Sequence, residues 1–348
     1  MRTSARSSTV CRRLRVEQRK ALIVGIDYYE ALSSLKGCVD DASEVARVLA
    51  RHADQEVNFQ QRRIVLAKDR FSPVTRKQLR IDIQALFDND PAIALFYFAG
   101  HGYVDEGGGF LCASDSEDGS DGIPLDEIMK FARASKAKNK IIILDSCHGG
   151  IAGNLDLGSG RAEIDHGITL LTASTEDQYA FEGGNGAPGV FTNLLVDALE
   201  GAAANLVGDV TPGSVYAHID QSLGKWGDQR PVFKTNVAQF VSLRRTVPPI
   251  DLADLIRLPE LFPEPNHQIQ LDPSFEPERS KEQAEDATIP PPDPAKNAIF
   301  KVLQKYMTVN LIRPIDEEHM WHAAMNSKRC ELTRTGKHYR KLVDDGLI

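Results

Sequence analysis

Two short stretches carry the residue types from which a covalent hydrolase can be built: Ala99-Gly100-His101-Gly102 and Asp145-Ser146-Cys147-His148-Gly149-Gly150. A thiolate attacks a carbonyl carbon, and an imidazole within reach can take the thiol proton and later return it to a leaving amine. Glycines on both sides of His101 let the backbone approach a substrate closely. The amides of Gly102 and Cys147 would then face the oxyanion that develops during attack. The reaction class is acyl transfer from a peptide bond. His148 is a second imidazole beside the thiol, but a residue next in sequence to the nucleophile generally projects away from it, which favours His101. A lone buried cysteine is more often an inert small hydrophobe, and a lone Gly-His-Gly is a tight turn. Their pairing carries the reading.

Since 46 positions separate His101 from Cys147, the fold must return the chain to one edge. Ala21–Ile26, Ile93–Phe98 and Ile141–Leu144 are short continuous apolar runs, the pattern of strands covered on both faces in a parallel sheet. Ile168–Leu171 reads as a further strand. Helical spacing appears over Asp41–Leu49, over Pro73–Phe87 with Ser72 and Pro73 as cap and first-turn residues, near Val190–Leu199 and over Ser214–Leu223. This alternation predicts an α/β three-layer domain with a mostly parallel central sheet over residues 18–243. In such sheets functional groups gather beyond the carboxyl ends of the strands, where both motifs fall.

The 348 residues suggest two domains, and the 42% apolar and 26% charged composition is that of a globular chain with a sizeable core. No apolar run approaches the roughly 18 residues that span a bilayer. The basic extension 1–17 has no apolar core for a signal peptide. Five scattered cysteines with no C-x-x-C pair indicate neither a disulfide framework nor a zinc ribbon, so a reducing cytoplasm is the expected location. Net charge is −8, leaving no basic footprint for nucleic acid over the main body. Residues 248–294 hold eleven of the eighteen prolines, and 250–293 hold eleven acids against three bases. That composition resists regular structure and predicts an extended acidic linker over 244–294, with Leu258, Leu261 and Phe262 as local anchors.

The run Phe98–Gly102, followed after a hydrophobic strand by Asp145–Gly149, resembles the caspase-fold cysteine proteases, peptidase family C14, and among them the metacaspase-like bacterial branch. Gly25-Ile26-Asp27-Tyr28-Tyr29, the segment Leu35–Ala42 and the late Trp226–Pro231 segment are similar to further parts of that domain. The resemblance covers residues 18–243. It implies a caspase-like sandwich and a cysteine endopeptidase with Cys147 as nucleophile, His101 as general base, and Gly102 and Cys147 amides as the oxyanion hole. It also implies cleavage after Arg or Lys, with Asp41, Asp145 and Asp177 as the acids of the specificity pocket; converging carboxylates select a cation, and arginine can be held bidentately. A plainer use for the neighbouring Asp40 is to cap the helix that follows. Bacterial relatives imply a protease held in check until a partner signals in stress, cell death or defence.

No cofactor is expected. Many metacaspases use calcium, and Asp115–Gly122 offers oxygen ligands, but it lacks the EF-hand spacing, and a further family aspartate would fall at Asn154; a solvated acidic loop is the favoured reading, with calcium dependence left open. Arg161, in a glycine-rich stretch, is a candidate self-cleavage site. Residues 295–348 return to helical patterning from Phe300 to Tyr306. Their Cys330–Val343 stretch reads as the helix-and-wing end of a winged-helix-like module with a break at Thr335-Gly336. Ten Lys/Arg against six Asp/Glu, with no aromatic-interleaved stripe, favour a protein partner over DNA. His319, His322, Cys330 and His338 fit no common zinc signature. Two rival readings stand beside the protease: a catalytically silent scaffold, and a regulator whose C-terminal module binds DNA.

Overall fold

The structure, a computed structural model, describes residues 18–106, 108–146, 164–173, 189–226, 230–237 and 239–348. The chain divides into two compact units, residues 1–203 with 210–245 and residues 204–209 with 246–348. Among the described residues no helix is long and apolar enough to cross a membrane.

The first unit contains strands β1 (Arg19–Ile26), β2 (Gln61–Ala67), β3 (Ile93–Ala99), β4 (Gly102–Asp105), β5 (Gly108–Leu111), β6 (Ile123–Pro124), β7 (Asn139–Asp145) and β8 (Ile168–Thr172). Its helices are α1 (Cys38–Ala50), α2 (Arg76–Phe87), α3 (Leu125–Ala134), α4 (Val190–Asp197) and α5 (Pro212–Leu223). A six-stranded sheet runs in the order Val232–Thr235, β8, β7, β3, β1, β2. Every pairing in it is parallel except that of the edge strand Val232–Thr235. Strands β4, β5 and β6 form a separate antiparallel sheet.

Side chains alternate between the two faces of a strand. Leu22, Val24, Phe96, Phe98, Ile142 and Leu144 pack with Leu79 and Ile83 of α2 and Ile128 and Met129 of α3. The intervening residues face the layer of α1, α4 and α5, where Tyr97 meets Thr192. Both faces being covered, β3 is buried along its whole length, which is why it reads as one unbroken apolar run. The edge strands β2 and Val232–Thr235 escaped the sequence reading for the converse reason. The first four residues of β2 are exposed and three of them are polar.

Helix starts also differ from expectation. Helix α2 begins at Arg76 behind Thr75, whose hydroxyl accepts from the Gln78 amide, rather than at Ser72-Pro73. Helix α1 begins at Cys38, so Asp40 lies inside it and is not its cap. The cap comes from Asp27, just past β1, whose Oδ1 accepts from the Cys38 and Val39 amides at 2.9 and 3.4 Å. Gly25 is required for that approach: a Cβ there would stand 2.3 Å from the Cys38 carbonyl oxygen.

The second unit corrects the linker reading. It holds α6 (Leu252–Leu255), α7 (Leu258–Leu261), α8 (Lys281–Glu285), α9 (Pro294–Thr308), α10 (Met320–Met325) and α11 (Arg334–Asp344). A three-stranded antiparallel sheet is ordered Gln268–Gln270, Arg329–Leu332, Ile312–Pro314. Ile250, Leu255, Leu258, Phe262, Leu271 and Phe275 share one core with Phe300, Leu303, Tyr306, Met320 and Leu332. The prolines and acids that suggested an extended chain are helix-start signals here. Pro259 and Pro294 sit in the first turns of α7 and α9, and Asp293 accepts from the Ala295 and Lys296 amides. Asp251 pairs with Lys305 at 3.0 Å, and Asp254 pairs with the same amine.

Nor does the chain end in helix and wing. The strand Arg329–Leu332 precedes α11, which runs unbroken through Thr335 and Gly336 with Thr333 as its cap. Buried Arg340 ties α11 to the Phe262 carbonyl at 2.5 Å. Cys330 lies in the core with its thiol pushed up to about 12 by burial.

Substituting Gly25→Ala should force α1 off β1. We expect a loss of about 1–3 kcal/mol, read as a Tm lowered by about 2–10 °C. Unchanged melting would show that the helix has room to retreat.

Candidate active site

The site grows from the pairing of β3 with β7, which places Ala99 opposite Asp145. One residue further, the Gly100 amide donates to the Asp145 carbonyl at 3.3 Å. His101 is thus two residues past the end of β3, and Cys147 follows two residues after the end of β7. Cys147 itself, His148, Arg161 and Asp177 lie outside the described residues, as do Gly227–Gln229 of the late family-like segment.

His101 is half-buried and held from three directions. Its amide donates to the Tyr29 hydroxyl at 2.7 Å, and the two rings stand 4.7 Å apart. Its carbonyl accepts from the Cys112 amide at 3.0 Å. Its Nε2 lies 2.8 Å from the Ser33 carbonyl oxygen. A carbonyl only accepts, so Nε2 carries a proton and, in the neutral ring, Nδ1 holds the basic lone pair. Tyr29 is buried, which drives its hydroxyl well above the usual phenol range, so it stays a neutral support. Gly100 makes room for it, since a Cβ there would meet the Tyr29 hydroxyl at 2.7 Å.

Gly102 opens β4 opposite Leu111. The preceding His101–Cys112 pair uses the ladder bond. By the alternation of antiparallel pairing the Gly102 amide therefore turns away from β5, an orientation suited to an external acceptor.

Asp41 and Asp145 come together on the α1–α4 side of the sheet. Asp41, in the first turn of α1, is only 5% exposed. Both its oxygens lie 3.3 Å from the Gly189 amide. Burial raises its pKa to about 7, with the Asp145 carboxylate as the second cause. Asp145 ends β7 and its Oδ2 accepts from the Thr192 hydroxyl at 2.6 Å. Burial raises it to about 6, against the lowering effect of that bond. Among the described residues neither acid has an ion-pair partner. Carboxylates so placed are poised to receive a cation.

The acids of the Asp115–Gly122 loop do not converge. Asp115 accepts from the Arg76 amide, Asp118 from the Ser120 amide and hydroxyl, and Asp121 from the Glu117 amide. Among the described residues no three His, Cys, Asp or Glu side chains gather where a metal ion could sit, so these residues do not fit a calcium site. The sequence reading missed Tyr29, Ser33, Gly189, Thr192 and Tyr97. Tyr29 lies within a motif that the reading had noted, whereas Ser33 acts through its backbone and Thr192 carries no local signal.

A family model described as the caspase domain of peptidase family C14 matches residues 18–241, well over half of the chain. The chain belongs to this family. Metacaspase-1 of Sclerotinia sclerotiorum and Metacaspase-1 of Botryotinia fuckeliana are each 27% identical to it over 213 residues, 55% of this chain and 45% and 46% of theirs. The chain thus spans about half the length of the curated relatives it matches. Among solved structures it is similar to caspase-1 from Spodoptera frugiperda, with 15% identity and a TM-score of 0.48 over 66% of this chain and 91% of that one.

The raised acids carry a stability consequence. Asp41 titrates near 7 folded and near the ordinary carboxylate value of about 3.9 unfolded, so between these values the folded state binds more protons and stability falls as pH rises. The Tm of Asp41→Asn minus that of the wild type should therefore grow from pH 4 to pH 8, as followed by thermal melting. A difference that stays flat across that range would show that Asp41 is ionised without cost.

Proposed function

We propose that the chain is a cysteine endopeptidase that cleaves peptide bonds after arginine or lysine. The observation that carries it is the rim shared by β3 and β7. There His101 has Nε2 committed to the Ser33 carbonyl, leaving Nδ1 as the base, two residues past a strand end aligned with the one that leads into Cys147. In the proposed sequence His101 Nδ1 takes the Cys147 thiol proton, and Sγ bonds to the carbonyl carbon of the substrate. The Gly102 and Cys147 amides donate to the resulting oxyanion. As the C–N bond breaks, His101 returns the proton to the leaving amine, and a thioester remains. Water deprotonated by His101 then hydrolyses it and frees the thiol. No step calls on a metal.

Specificity rests on the acid pair. A guanidinium or ammonium entering beside Asp41 and Asp145 would supply the counter-charge that the described residues do not, and would draw both carboxyls back toward ionisation. Asp177 is assigned to the same pocket, and Arg161 to self-processing, by family resemblance alone.

A peptide library varied at the residue before the scissile bond tests this. The wild type should cleave after Arg and Lys at least about 100-fold faster than after Asp, while Cys147→Ala and His101→Ala each lose about a thousandfold or more of kcat. Preference for Asp, or full turnover by Cys147→Ala, would overturn the assignment.

A further inference from the structure

The two pocket acids share a holder. Helix α4 presents the Gly189 amide at its N-cap to Asp41 and the Thr192 hydroxyl in its first turn to Asp145. Thr192 is buried, and its Oγ also lies 2.6 Å from the hydroxyl of fully buried Tyr97 on β3. A threonine hydroxyl has one proton. Given to the Asp145 carboxylate, it leaves an oxygen that must accept from Tyr97. The relay therefore runs in one direction, Tyr97 to Thr192 to Asp145 Oδ2, and uses one lone pair of Oδ2 while leaving Oδ1 and the other Oδ2 lone pair for a ligand. Nothing in acyl transfer requires this relay, since it touches neither His101 nor the Gly102 amide.

We infer that Thr192, anchored by Tyr97, is the positioning residue that fixes the Asp145 carboxylate for bidentate capture of a guanidinium and so favours arginine over lysine. This rests on the proposed cleavage after basic residues. A planar guanidinium needs acceptors in a fixed orientation, whereas an ammonium is a point charge that tolerates a turned carboxylate. Thr192 also favours the ionised form of Asp145, because a hydroxyl donor stabilises the anion. The groups facing that carboxylate are Asp41 from α1, Tyr97 from β3 and Thr192 from α4, with Asp27 and Asp40 next to Asp41, Cys38 near Tyr97 and His101 beyond Gly100. None of these groups on α1, β3 and α4 is a lysine or arginine, so the hydroxyl has no cationic substitute among them.

The test compares wild type, Thr192→Val, Thr192→Ser and Tyr97→Phe in full-length protein. The readout is kcat/KM on matched peptides with Arg or Lys before the cleaved bond, from pH 5.5 to 8.5. Thr192→Val should lower the Arg value about tenfold near pH 6.5, move the pH of half-maximal kcat/KM up by about one unit, and narrow the Arg-to-Lys ratio. Thr192→Ser, which keeps the hydroxyl, should restore all three, and Tyr97→Phe should show the same changes in weaker form. A general packing defect would instead lower both peptides equally at every pH and would not be rescued by serine; that outcome overturns the inference, as does an unchanged profile in Thr192→Val. If the wild type itself shows no preference for a cationic residue, the proposed specificity fails and this inference falls with it. If the wild type prefers Arg and the variants match it, the inference alone fails.

Discussion

The in-register parallel pairing of β3 with β7 is the constraint from which the rest of the site follows. Parallel strands end at the same edge of a sheet, so residues just past two adjacent ends are neighbours whatever their separation in sequence. Ala99 opposite Asp145 converts a sequence gap into a shared rim. The rim then needs a support on each side. On one, Tyr29 and the Ser33 carbonyl fix the ring of His101. On the other, α4 holds Asp41 and Asp145. A single alignment of two strands thus presents an imidazole and a pair of carboxyls at one edge.

The pair of buried carboxyls works against stability. Two carboxyls drawn out of water beside each other, with no ion-pair partner among the described residues, favour their protonated forms. Proteins tolerate such arrangements where function requires a group held ready for a ligand, and the sheet beneath is well suited to bear it. β3 is buried along its length, and β7 is buried over Asn139–Leu144.

The legible and illegible parts of this molecule divide on physical grounds. β1, β3, β7 and β8 were readable because strands covered on both faces must be apolar throughout. β2 and Val232–Thr235 were not, because an edge strand tolerates Gln61-Arg62-Arg63. His101, Gly102, Asp41 and Asp145 were legible as chemistry-bearing types near strand ends or a helix start. Thr192 and Ser33 were not, since a threonine in an apolar helix and a serine acting through its carbonyl leave no pattern. The 244–294 segment misled for a different reason. Its composition averages prolines and acids that each have a fixed place at a helix start over apolar residues, Ile250, Leu258, Phe262 and Phe275, that reach the core of the second unit.

The most direct test of the shared rim is covalent capture. Protein treated at neutral pH with a peptidyl-arginine chloromethyl ketone, and separately with its aspartyl counterpart, would be read by intact mass and peptide mapping. The account predicts one adduct, on Cys147, formed rapidly only with the arginyl reagent and slowed strongly in His101→Ala. Labelling spread over Cys11, Cys38, Cys112 or Cys330, or capture of Cys147 at the same rate without His101, would contradict it.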